Sequence, residues 1–150
     1  MRIESLIREL GVQRSVSMLG FLPRDEMEKR FHSARVQAVP GTWEEPFGLV
    51  TAEAMMRGTP VIATARGAAT EMINPGVTGL LVPAGDPEAL TAALVTSLLD
   101  ADSARAMGRA AREFALERLT ESAMVERFLT IYSDLLSGVK PGLLSRDRND

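Results

Sequence analysis

Short uncharged apolar runs that stop at glycine or proline, with helical patterns between them, constrain this chain more than any other feature. VSML (16–19) ends at Gly20, VQAV (36–39) at Pro40-Gly41, PVIAT (60–64) before Arg66-Gly67, and GLLVP (79–83) before Gly85-Asp86-Pro87. Runs this short, without charge, fit strands buried on both faces. Helical segments lie between them. One covers 3–10, another is DEMEKRFHSA at 25–34 with Asp25 placed to cap it, and a third spans Gly48 to Arg57 and halts at Gly58-Thr59-Pro60. Strand and helix in alternation predict an α/β fold built on a parallel sheet with flanking helices.

Beyond residue 86 only helical patterns remain. Asp86 can cap PEALTAALVTSLL (87–99), with Pro87 in its first turn. SARAMGRAAREFALERL (103–119) follows, and ESAMVERFLTIYSDLL (121–136) sets Met124, Phe128, Ile131, Tyr132 and Leu135 on one helical stripe. The polar tail SGVKPGLLSRDRND, broken by Pro141 and Gly142, is expected to fray. The predicted organisation is one domain over 1–137 with a frayed tail at 138–150.

Composition narrows the function classes. The 150 residues carry a net charge of −3, which offers no basic face for nucleic acid or an anionic membrane. Without cysteine there is neither a disulfide nor a thiolate metal site. No run approaches the ~18 apolar residues of a membrane span. The charged opening MRIESLIREL is not a secretory signal. The expected location is the cytoplasm.

EEPFGLVTAE (44–53) lies just after the apolar run VQAV, where a parallel sheet binds its ligands. Pro46 suits the first turn of a helix, because its missing N–H would be unpaired there. The N–H groups of Phe47, Gly48, Leu49 and Val50 would follow without helical partners, and Gly48 lets a ligand approach the backbone. Such a helix start is an anion site, suited to a diphosphate. Glu45 before it and Glu53 within it would be repelled by phosphate, so they should accept from hydroxyls. A sugar at one end of a diphosphate and a ribose at the other is a nucleotide-sugar. Acids near a helix start also simply suit its dipole, and spacing alone leaves both readings open.

The sequence EPFGLVTAEAMMRGTPVIAT resembles the signature of retaining group 1 (family 4) glycosyltransferases of the GT-B fold. Glu, seven residues and Glu frame Phe-Gly-Leu, and a Gly-x-Pro-Val strand follows. The likeness extends through GAATEMI (67–73) and GVTGLLVPAGDPEAL (76–90) to ERFLTIYSDLL, and upstream through VSMLGFLPRDEMEKRFHSARVQAVP, covering about 3–137. It implies part of a GT-B C-terminal domain, with a Rossmann-like sheet and a helical C-terminus. It also implies that Glu45 faces the donor sugar at the reaction centre and Glu53 holds the ribose hydroxyls. The backbone of Phe47, Gly48, Leu49 and Val50 would meet sugar and diphosphate. Leu22, beside Phe21, would flank the base, and Gly67 and Glu71 would lie near the same cleft. The donor would be a UDP-, GDP- or ADP-sugar, with no metal and no other cofactor.

The resemblance also implies what this sequence lacks. The family's Gly-Arg…Lys segment, which supplies cations to the leaving diphosphate, is absent, and the lysines are Lys29 and Lys140. The N-terminal acceptor domain is missing, to be supplied by a longer protein or a partner chain. In the order 3-2-1-4-5-6 this chain would hold strands 3 to 6, with open edges through which copies can associate. The reading is the donor half of a transferase, inactive alone, at the inner membrane surface if its acceptor is a lipid. The alternatives are a non-catalytic nucleotide-sugar-binding or assembly module and, next, an epimerase-like domain. His32, Ser33 and the run GRAAREF within a predicted helix offer no competing chemistry, Trp43 could stack on a ring or pack its loop, and the methionines of AMM read as core.

Overall fold

The computed structural model describes residues 2–138, and the tail expected to fray lies outside them from 139 onward. The chain divides into two compact units, one ending at Ser33 and one beginning at Ala34.

The first unit holds α1 (Arg2–Glu9) and α2 (Arg24–His32). Both match helical patterns in the sequence. Asp25 does not cap α2: the helix opens one residue earlier, after Pro23 at φ −56°, and Asp25 falls in its first turn. Arg24 instead pairs with Glu28 one turn on, at 2.9 Å. The expected strand at 16–19 does not form, and Val16, Met18 and Leu19 are exposed. Extended backbone becomes a strand only when a neighbour takes its hydrogen bonds, and none of the described strands pairs with this segment.

In the second unit β1 (Gln37–Val39), β2 (Val61–Thr64) and β3 (Leu80–Val82) form a parallel three-stranded sheet in the order β1-β2-β3. Gln37 sits opposite Val61, and Ile62 opposite Leu80. Only β2 is buried along its whole length. β1 and β3 flank it and are partly open, so burial on both faces holds for the centre of the sheet alone.

Between β1 and β2 runs α3 (Leu49–Arg57), ended by Gly58 at φ 73°. Met55, Val61 and Ile62 are the largest fully buried side chains. Each stabilises the fold by roughly 1.5–3 kcal/mol through the apolar area it removes from water. The short α4 (Ala69–Met72) adds Ala69 and Met72 to this core.

The helical end comprises α5 (Pro87–Leu99), α6 (Ala101–Arg118) and α7 (Glu121–Leu136). Each start is capped by the residue before it. Asp86 accepts from the Ala89 N–H at 2.8 Å, Asp100 from Ser103 at 3.0 Å and Thr120 from Ala123 at 3.2 Å, each worth about 1 kcal/mol. Helix α6 crosses α3 where Gly108 meets Gly58, and Ala111 and Ala115 are fully buried there.

Candidate functional site

The carboxyl ends of β1 and β2 open onto the loop that leads into α3. This helix begins at Leu49, with Gly48 before it at φ 79°, a left-handed conformation that favours glycine. Pro46 and Phe47 therefore precede the helix and do not open it, because the chain reverses hand at Gly48 first. The first turn presents the N–H groups of Leu49, Val50 and Thr51, and the first intrahelical bond runs from Ala52 N–H to the Gly48 carbonyl at 3.0 Å. Leu49, Val50 and Phe47 are exposed, whereas Gly48 and Thr51 are buried, so this helix start is open on one side only.

Beside it lies a cavity of about 170 Å³, whose lining includes Trp43, Glu45, Gly48, Leu49, Val50 and Arg66. Ligand pockets usually measure about 300–1,000 Å³, so this hollow suits one portion of a larger ligand. Glu45 is half-buried, and its Cγ would lie 3.6 Å from a Cβ built on Gly48. Trp43 flanks Gly41, lines the cavity and stays 60% exposed.

Long-range hydrogen bonds hold this loop in place. The buried Thr64 hydroxyl, at the end of β2, donates to the Gly41 carbonyl. Gln37, buried in β1, donates to the Val50 carbonyl at 3.1 Å and accepts from Arg57 at 3.1 Å. Glu44 accepts from the Gly67 N–H at 2.7 Å and from the Arg66 guanidinium at 2.9 Å. The Ala68 N–H donates to the Glu45 carbonyl at 2.9 Å. The Gly67 loop thus lies against the backbone of Glu45, and a Cβ on Gly67 would stand 2.4 Å from the Glu45 carbonyl oxygen.

The residues singled out in the sequence fall into three groups. Glu45, Gly48, Leu49 and Val50 gather at the cavity. Phe47 stands exposed beside the helix start, and Gly67 supports Glu45 from behind. Glu53 is half-buried on α3, one turn on from Leu49 and Val50, and does not line the cavity, while Glu71 is exposed on α4. Leu22 belongs to the first unit, where it is half-buried. Sequence reasoning missed Glu44 and Thr64, which fix the loop, and Arg66, known from the sequence only as the stop after PVIAT, borders the cavity.

Comparison with known proteins places this arrangement. The profile of the family described as "Glycosyl transferases group 1" matches residues 1–114. A D-inositol 3-phosphate glycosyltransferase from Corynebacterium jeikeium is 37% identical over 134 residues, which is 89% of this chain and 32% of the relative. Sucrose-phosphate synthase from Thermosynechococcus elongatus superposes with a TM-score of 0.79 at 36% identity, over 91% of this chain and 34% of that one. HepE from Anabaena, solved in complex with UDP, gives a TM-score of 0.81 at 28% identity, over 89% of this chain and 36% of its own. This chain therefore spans about a third of the length of these three proteins. With that profile matched over residues 1–114 and solved relatives superposing over about nine-tenths of its length, the chain belongs to the group 1 glycosyltransferases and has their GT-B-type α/β fold.

Proposed function

We propose that this chain binds the donor of a retaining glycosyl transfer, a nucleotide-sugar, at the amino end of α3. The observation that carries the reading is the first turn of α3, exposed at Leu49 and Val50, beside the Glu45 cavity. N–H groups of Leu49, Val50 and Thr51 and the positive end of the helix dipole attract a diphosphate. Glu45, at the lip, accepts from sugar hydroxyls and offsets positive charge that develops at the anomeric carbon as the diphosphate departs. Glu53, further along α3, takes ribose hydroxyls. Arg66, steadied by Glu44 at 2.9 Å, supplies a positive group at the cavity edge.

Uridine is the favoured base, because HepE was solved with UDP and, in a further structure, with UDP-glucose. The chain then orients the donor while an acceptor hydroxyl attacks from the face the diphosphate leaves. The acceptor site is proposed to lie in the part of the longer relatives that this chain does not match.

Isothermal titration of the chain with UDP, GDP and ADP tests the reading. UDP should bind tightest. Glu53→Ala should weaken UDP by about tenfold, as losing a charged hydrogen-bond partner does, and Glu45→Ala should weaken it less. Absence of UDP binding, or equal losses in the two variants, would defeat the assignment.

A further inference from the structure

A second hollow lies at the opposite end of the sheet from the donor cavity. It measures about 370 Å³, within the ordinary range of ligand pockets of about 300–1,000 Å³. Ala34 and Arg35 line it just before β1, and Gly58 and Pro60 just before β2, so it opens at the amino ends of the strands. Its other wall is the junction of α5 and α6, with Ser97, Arg105 and Arg109.

Three arginines lining one cleft are unexpected in a chain of net charge −3. Arg105 and Arg109 stand one turn apart on α6, where like charges repel. Asp102 pairs with Arg105 at 2.5 Å. Among the described residues neither Arg35 nor Arg109 has an ion-pair partner. Ser97 is 5% exposed, and its hydroxyl is buried without a hydrogen-bond partner. A buried hydroxyl left unpaired is costly, and most such groups in folded proteins have a partner. The cleft therefore combines surplus positive charge with an unsatisfied donor.

We propose that this cleft binds a phosphate-bearing ligand, separately from the donor nucleotide. Arg35 and Arg109 pair with phosphate oxygens from two sides, as the planar guanidinium fork favours. A change of rotamer turns the buried Ser97 hydroxyl toward the same ligand, and Arg105 divides its charge between Asp102 and the phosphate. Occupancy would join the entry of β1 to the junction of α5 and α6 without touching the donor cavity.

Site-resolved amide NMR of the full chain titrated with inorganic phosphate tests this, with chloride as the ionic-strength control. Saturable shifts at residues 34–35, 97 and 101–109 are expected. They should be weakened about tenfold or more by Arg109→Ala or Arg35→Ala and left unchanged by Arg127→Ala. Ser97→Ala should weaken phosphate binding while leaving the phosphate-free melting temperature unchanged or raised, because it removes an unpaired hydroxyl. In a parallel arm, phosphatidic acid vesicles are floated with the chain. Capture that is lost in the Arg35→Ala/Arg109→Ala double variant identifies a lipid headgroup as the source of the phosphate. Shifts confined to residues 48–52, shifts that never saturate, or shifts indifferent to the arginine substitutions would overturn the proposal in the soluble arm, whatever UDP does at α3.

Discussion

Gly67 shows how much of the candidate site depends on residues that never reach the cavity. Its φ of 52° favours glycine, and a Cβ there would meet the Glu45 carbonyl oxygen at 2.4 Å and its nitrogen at 2.6 Å. Neither atom can yield without moving Glu45, since the Ala68 N–H already holds that carbonyl. Gly67→Ala should therefore lower stability by about 1–3 kcal/mol through strain and overpacking. It should also weaken UDP by about tenfold or more, read by urea denaturation and titration calorimetry. Thr64→Val, which removes the hydroxyl held by the Gly41 carbonyl, should cost about 1 kcal/mol, with a smaller effect on UDP. Glu45 and Gly48, which meet at the cavity, could be read together in the sequence because they are near neighbours in the chain, whereas Glu53 lies off the cavity. Glu44 and Thr64 were not legible, because their partners stand more than twenty residues away and only folding brings them together.

Among the elements, those with strong terminal signals were readable and those needing a distant partner were not. Helix α3 ends at Gly58 and α5 begins after Asp86, as the glycine and the acid cap indicate. The run at 16–19 has the composition of a strand but no ladder, and composition cannot announce a missing neighbour. Pro46 looked like a helix opener, yet the left-handed Gly48 delays α3 to Leu49. Gly108 carries a similar lesson. In mid-helix it costs about 1 kcal/mol of propensity against alanine. The structure explains its presence, since a Cβ there would stand 2.2 Å from the Gly58 carbonyl oxygen at the α3–α6 crossing. Gly108→Ala should thus destabilise the chain by about 1–3 kcal/mol despite the better helix former, because the overpacking exceeds the propensity gain. Chemical denaturation checks the sign, and a stabilised variant would show that the two helices separate easily.

For the molecule as a whole, the last helix raises a question of company. The stripe foreseen on α7 is present, yet no α7 residue is buried, and Phe128, Tyr132 and Leu135 are each at least half exposed. A continuous apolar face of this kind marks a contact surface, and leaving it in water costs about 25 cal/mol for each Å². The chain spans about a third of its relatives, and its sheet also has open edges at β1 and β3. Two routes to self-association follow, one through the helix face and one through strand pairing. The helix face should dominate, because β1 and β3 are only three residues long and offer few hydrogen bonds. Sedimentation velocity should therefore show concentration-dependent dimers or larger species for the unaltered chain. Phe128→Ser with Leu135→Ser should return it to a monomer, and because both side chains are only half buried, stability should fall by no more than about 1 kcal/mol apiece. Persistent association in that variant would shift the contact to the strand edges, and a monomeric unaltered chain would mean that neither surface is sticky enough to need covering.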